Sequence, residues 1–87
     1  MNERFAELRS QIASTDARIV ADVNARLRLV AELWLLKREL GVDRIDRDRE
    51  RQLREELAVA NRGPLSAEGL DALVTAVLDL TKRELRT

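Results

Sequence analysis

Hydrophobic and polar positions recur with a helical period along most of the chain. From Asn2, a capping residue type, apolar or small side chains return at Phe5, Leu8, Ile12, Thr15, Ile19, Val23, Val30 and Leu33. Steps of three, four and seven residues trace one stripe on an α-helix, and nothing interrupts it before Gly41. The pattern predicts a helix over about residues 3–40, ~55 Å long at 1.5 Å per residue. "ELGVD" supplies Gly41 as its stop, and a second, shorter helix is predicted from Asp43 or Asp46 to Ala60 along Ile45, Arg49, Leu53 and Leu57. "NRGPLS" is a clear turn, with Ser66 a cap for a third helix and Glu68 in its first turn. That helix is predicted to run nearly to Thr87 on a stripe of Leu70, Leu73, Val74, Val77, Leu78 and Leu85, with Thr81 among them. No alternating strand pattern competes, so the expected fold is all-α, three helices with one very long, in a single domain spanning 1–87.

The first helix is too long for its chain. A compact globule of 87 residues has a radius of gyration of ~12 Å, so the remaining residues cannot cover a ~55 Å stripe. A partner chain is expected. The stripe resembles a coiled-coil seam, which makes a helical dimer without catalytic activity a rival to any enzymatic reading.

Composition narrows the chemistry. Sixteen Lys and Arg balance sixteen Asp and Glu, so no broad basic field for nucleic acid exists and any cationic site is local. The absence of Cys and His removes thiolate nucleophiles, imidazole bases and the usual transition-metal ligands; neither a metal nor a cofactor is expected. No apolar run has the length to span a bilayer, and "MNERFAELRS" lacks the apolar core of a signal peptide. A cytoplasmic protein with no membrane partner is the expectation.

Charged residues interrupt the apolar stripes at particular places. Continuing the first stripe gives Val23, Arg26, Val30, Leu33 and Lys37, which puts two cations on the apolar face about 16 Å apart along the axis. Burying an unpaired cation costs several kcal/mol, so this pair calls for acidic partners from other helices or for an anionic guest. In "DRIDRDRERQLREE" (43–56) eleven of fourteen side chains are charged. There Arg49 falls in line with Ile45 and Leu53, while Arg44, Arg47, Arg51, Arg54 and Glu55 read as a solvated face. Glu50 lies on a neighbouring flank, Arg9 follows the stripe residue Leu8 at the far end of the long helix, and Thr81 with Glu84 or Leu85 continues the inward line of the third. Cations, a hydroxyl and acids without a nucleophile suit a small dianion and a reaction driven by positioning and electrostatics.

The order Arg9, Asp16, Arg26, Lys37 at the end of "VAELWLLK", then Asp46, Arg49 and Glu50 in D-x-x-R-E, resembles the all-helical type II (AroQ class) chorismate mutases over nearly the whole chain. The resemblance implies an intertwined homodimer with two active sites, each built from both chains, and the Claisen rearrangement of chorismate to prephenate on the route to phenylalanine and tyrosine. It implies that Arg26 and the partner chain's Arg9 hold the two substrate carboxylates and that Lys37 hydrogen-bonds the ether oxygen. By the same resemblance Glu50, with the backbone near Asp46, holds the ring hydroxyl; Arg49 adds positive field and orients Glu50; Thr81 stands near the ring carboxylate. Asp16 is read as orienting an arginine or capping packing, and Trp34 as a core or interface plug.

The third helix departs from the family pattern. Where relatives carry Gln or Glu one turn beyond the Ser or Thr, as a second donor to the ether oxygen, this chain has Leu85, with the acid three residues on at Glu84. Glu84 donates only when protonated, which requires burial. The resemblance also implies a DAHP synthase as an activating partner, since some small relatives dock on one. Isochorismate-pyruvate lyase and 4-amino-4-deoxychorismate mutase share the fold and are alternatives.

Overall fold

The computed structural model describes residues 2–86 and contains three helices: α1, Glu3–Leu40; α2, Arg47–Ala60; and α3, Ala67–Glu84. Each begins on a side-chain cap. Asn2 accepts from the Phe5 amide at 3.0 Å, Asp46 from the Arg49 amide at 3.1 Å, and Ser66 from the Gly69 amide at 2.9 Å, each relieving an amide that has no partner inside its helix. α1 stops where Gly41 takes up the left-handed conformation (φ 71°, ψ 28°). The Gly41 amide donates to the Arg38 carbonyl and the Val42 amide to the Lys37 carbonyl at 2.8 Å, a paired closure that an L-residue with a Cβ enters only with strain. Ile45, expected on the second helix, lies in the connecting loop instead, because Asp46 caps α2 one residue later.

The helices do not form a closed globule. α3 packs on both α1 and α2, through Val23, Leu27 and Val30 on α1, Leu53 on α2 and Leu70, Val74, Val77 and Leu78 on α3, all at least half-buried. Arg54 of α2 adds a polar clamp, reaching the Asp71 carboxylate and the Thr75 hydroxyl on α3. It is thus a tie between helices rather than part of a solvated face. Among the described residues only Val74 and Thr81 are buried.

The rest of α1 stands alone. Every residue from Glu3 to Asp22 is exposed, including Phe5, Leu8, Ile12, Ile19 and Val20. The molecule extends 61 Å along its longest axis with a radius of gyration of 16.7 Å, against ~12 Å for a compact chain of this length. Its accessible surface is 7446 Å², whereas a compact monomer of its mass exposes about 5,200 Å². Among the described residues no helix is long and apolar enough to cross a membrane.

Because Val74 is the only buried aliphatic residue among those described, at 3% exposure, Val74→Ala is expected to lower unfolding stability by about 2 kcal/mol. Leu73→Ala, at a neighbouring position that is half exposed, is expected to cost less than half as much. Urea unfolding of both variants at one fixed protein concentration, followed by circular dichroism, checks the contrast.

Candidate active site

α1 and α2 both lean on α3 and diverge from each other, leaving an open pocket of about 230 Å³ between them. That volume is below the ~300–1,000 Å³ of complete ligand sites. α1 contributes Arg26, Val30, Leu33, Trp34 and Lys37, at steps of four, three, one and three that keep one face toward the cavity. The loop adds Arg44, Ile45 and Asp46; α2 adds Arg49, Glu50 and Leu53; α3 closes the floor with Leu78, Thr81 and Lys82. Aliphatic side chains therefore separate the charged groups and keep water from screening them fully.

Thr81 organises one wall. It is 5% exposed; its hydroxyl donates to the Val77 carbonyl at 2.7 Å and accepts from Arg26 Nη1 at 2.7 Å. With its proton committed to the backbone, the oxygen presents a lone pair that holds the Arg26 head in place. The resemblance cast Thr81 as a neighbour of the ring carboxylate; in this structure its first task is to aim Arg26.

Lys37 organises the other wall. Its ammonium donates to the Arg44 carbonyl at 3.2 Å, and the Arg44 guanidinium lies 5.0 Å over the Trp34 ring, a favourable cation–π distance. Trp34 is thus a pocket wall that anchors the loop above Lys37. Arg44, read from sequence as solvated, belongs to the same wall.

Of the residues singled out from sequence, the pocket brings together Arg26, Lys37, Asp46, Arg49, Glu50 and Thr81. Arg49 does not orient Glu50: its guanidinium turns to Gln52 and Glu56, at 3.2 and 3.5 Å, because residues three and seven apart share its helix face while the adjacent position points elsewhere. Glu50 pairs instead with Lys82, Nζ to Oε1 at 3.3 Å. Lys82 was missed by sequence reasoning, although it lies four residues past the stripe residue Leu78.

Two expected residues lie elsewhere. Arg9 is on the exposed half of α1, over the Phe5 ring at 5.4 Å, roughly 25 Å along the helix from Arg26, so it cannot serve the pocket of its own chain. Glu84 borders a different recess with Trp34, Leu35 and Leu85 and sits half exposed beside Arg83 at 3.7 Å. It does not line the cavity that Thr81 and Lys82 close, and Leu85, one residue further on, lies with it in the other recess.

The family model of chorismate mutase type II matches residues 8–85 of the chain. The protein belongs to the type II chorismate mutase family. No individual curated protein matches it at a significant level. Within the family match lie all the pocket residues and Arg9, and the cations Arg26 and Lys37 face one cavity from α1. The chain's sole tryptophan lines that cavity, so a dianion such as prephenate is expected to change Trp34 emission on binding. Arg26→Gln is expected to weaken that saturation about tenfold through loss of a charge-assisted hydrogen bond, as read by fluorescence titration.

Proposed function

We propose that the protein is a chorismate mutase that rearranges chorismate to prephenate in a homodimer with shared active sites, the whole chain acting as one catalytic domain. The observation that carries this reading is the convergence of Arg26, Lys37 and Glu50 on one partly apolar pocket whose cations outnumber its acids. The rearrangement breaks a C–O bond and forms a C–C bond within one molecule, with no proton transferred and no electrons gained or lost overall. A site for it needs no nucleophile and no base. It must fold the substrate so that the reacting carbons meet, and must stabilise the charge that grows on the ether oxygen.

Arg26, held by Thr81, takes one carboxylate. Lys37 exchanges the Arg44 carbonyl for the ether oxygen, an interaction that strengthens as the C–O bond lengthens and so lowers the barrier rather than merely tightening binding. Glu50 accepts from the ring hydroxyl.

The second carboxylate falls to Arg9 of a second copy. Support comes from the bare stripe of Phe5, Leu8, Ile12 and Ile19 and from the large excess of exposed surface. An antiparallel mate crossing α1 about a two-fold axis near Ile19 would cover that stripe with its own equivalent. It would also bring Arg9 of one chain opposite Leu29 and Val30 of the other, between Arg26 and Lys37. With Leu85 in place of a second ether-oxygen donor, turnover by the dimer alone is expected to be modest, and a DAHP synthase is the partner expected to raise it.

Loss of chorismate absorbance in the presence of purified protein tests the activity; a rate equal to the spontaneous one refutes it. Parallel assays with isochorismate and 4-amino-4-deoxychorismate identify the preferred substrate. Lys37→Ala is expected to lower kcat about 100-fold, matching the ~3 kcal/mol typical of one preorganised donor, with an unchanged dimer by sedimentation. Arg9→Ala and Arg26→Ala are each expected to be nearly inactive. Refolded together in equal amounts, they should recover about a quarter of normal activity, since half the dimers are mixed and each holds one intact site. No recovery would place Arg9 outside the site.

A further inference from the structure

The partner of Glu50 is supplied by α3. Lys82 Nζ lies 3.3 Å from Glu50 Oε1, and Glu50 is the more shielded of the two, with 28% of its side chain exposed against 45% for Lys82. Both border the pocket. Lys82 follows directly after Thr81, so a single turn of α3 reaches both walls: Thr81 holds the Arg26 guanidinium of α1, and Lys82 holds the Glu50 carboxylate of α2.

A lone carboxylate facing the cavity would repel a dianionic guest. Arg49, the adjacent cation, is engaged with Gln52 and Glu56 and does not offset it. Lys82 does so as an ion pair at Oε1, which leaves Oε2 as the free acceptor.

We infer that Lys82 is a specificity-determining positioning residue, which pins one oxygen of Glu50 so that the other accepts from a hydroxyl on a dianionic ligand. The pocket thereby selects dianions that carry a ring hydroxyl over the same dianions without one. The inference deepens the proposed function, and rests on it for identifying the hydroxyl as that of the chorismate ring. A direct contact between Lys82 and a ligand carboxylate would instead strengthen both kinds of dianion alike.

Equilibrium binding separates these cases without turnover, with Trp34 emission as the readout. The probes are a bicyclic dicarboxylate ether that mimics the rearrangement transition state and bears a secondary hydroxyl, and its deoxy counterpart. The unaltered protein is expected to bind the hydroxylated probe about tenfold more tightly, as a site built around a hydrogen bond does. Lys82→Met is expected to remove most of that preference, weakening the hydroxylated probe several-fold more than the deoxy probe, which loses only the offset of the Glu50 charge, and Lys82→Arg to keep it. In a Glu50→Gln background Lys82→Met should add less than about a twofold change, because the two residues act as one unit. Far-UV circular dichroism of each variant checks the helices, and Lys82→Gln replaces Lys82→Met should the latter lose them.

Equal weakening of both probes, no weakening of either, or no preference in the unaltered protein would overturn the inference. Failure to bind either probe would overturn it together with the proposed function. A protein that shows the Lys82-dependent preference yet leaves chorismate unchanged would refute the activity and leave the role of Lys82 standing.

Discussion

Burial of the apolar stripe on α1 is the constraint on which the rest of this structure depends. A helix of 38 residues carries its hydrophobic face far beyond the reach of α2 and α3, which together cover only the half from Val23 onward. Hydrophobic stabilisation scales with the area removed from water, and with two buried residues among those described a single chain removes little. The same geometry that leaves the stripe bare leaves the pocket open on one side and keeps Arg9 away from Arg26. The second copy proposed above would answer all three needs at once, and stability and completion of the site would then be one event.

α3 links the packing to the chemistry. It is the element that touches both other helices, and its polar residues at 81 and 82 sit where its apolar stripe would otherwise continue. The buried Thr81 hydroxyl satisfies its own donor within the helix and lends its lone pair to Arg26, so a guanidinium that would be costly to immobilise alone is held by a group that must be satisfied in any case. Lys82 does the corresponding work for Glu50. On the opposite side the loop after Gly41 is held by the Arg44–Trp34 stack and in turn receives Lys37. Each wall of the pocket is therefore tied to a second element, which is what electrostatic preorganisation requires.

Much of this was legible along the chain because it depends on local spacing. Helix ends followed from Asn2, Gly41, Asp46 and Ser66, whose side chains or backbone act on residues within one turn. The shared face of Arg26 and Lys37 followed from the helical repeat. The partner of Glu50 was not legible: adjacency in D-x-x-R-E suggested Arg49, yet neighbouring residues on a helix diverge by about 100°, and the cation that meets Glu50 lies thirty-two positions later at Lys82. Arg44 and Arg54 looked like solvent-facing charges for a similar reason. Their partners, Trp34 in one case and Asp71 with Thr75 in the other, stand on different helices. Glu84 could not be placed from spacing because the end of α3, with both Glu84 and Leu85, borders the recess beside Trp34 and Leu35 and not the cavity.

By itself the sequence determined three helices, the excess length of the first, a site restricted to cations, acids and a hydroxyl, and a resemblance that the family match bears out. These are properties of periodicity, capping and composition, which act within a few residues or across the whole chain at once. Only the tertiary structure decided which charge meets which: Thr81 with Arg26, Lys82 with Glu50, Arg54 with Asp71, Lys37 with the loop. Those pairings depend on how three helices cross, and a crossing is set by the fit of side chains on different elements, for which no spacing along one chain is a substitute.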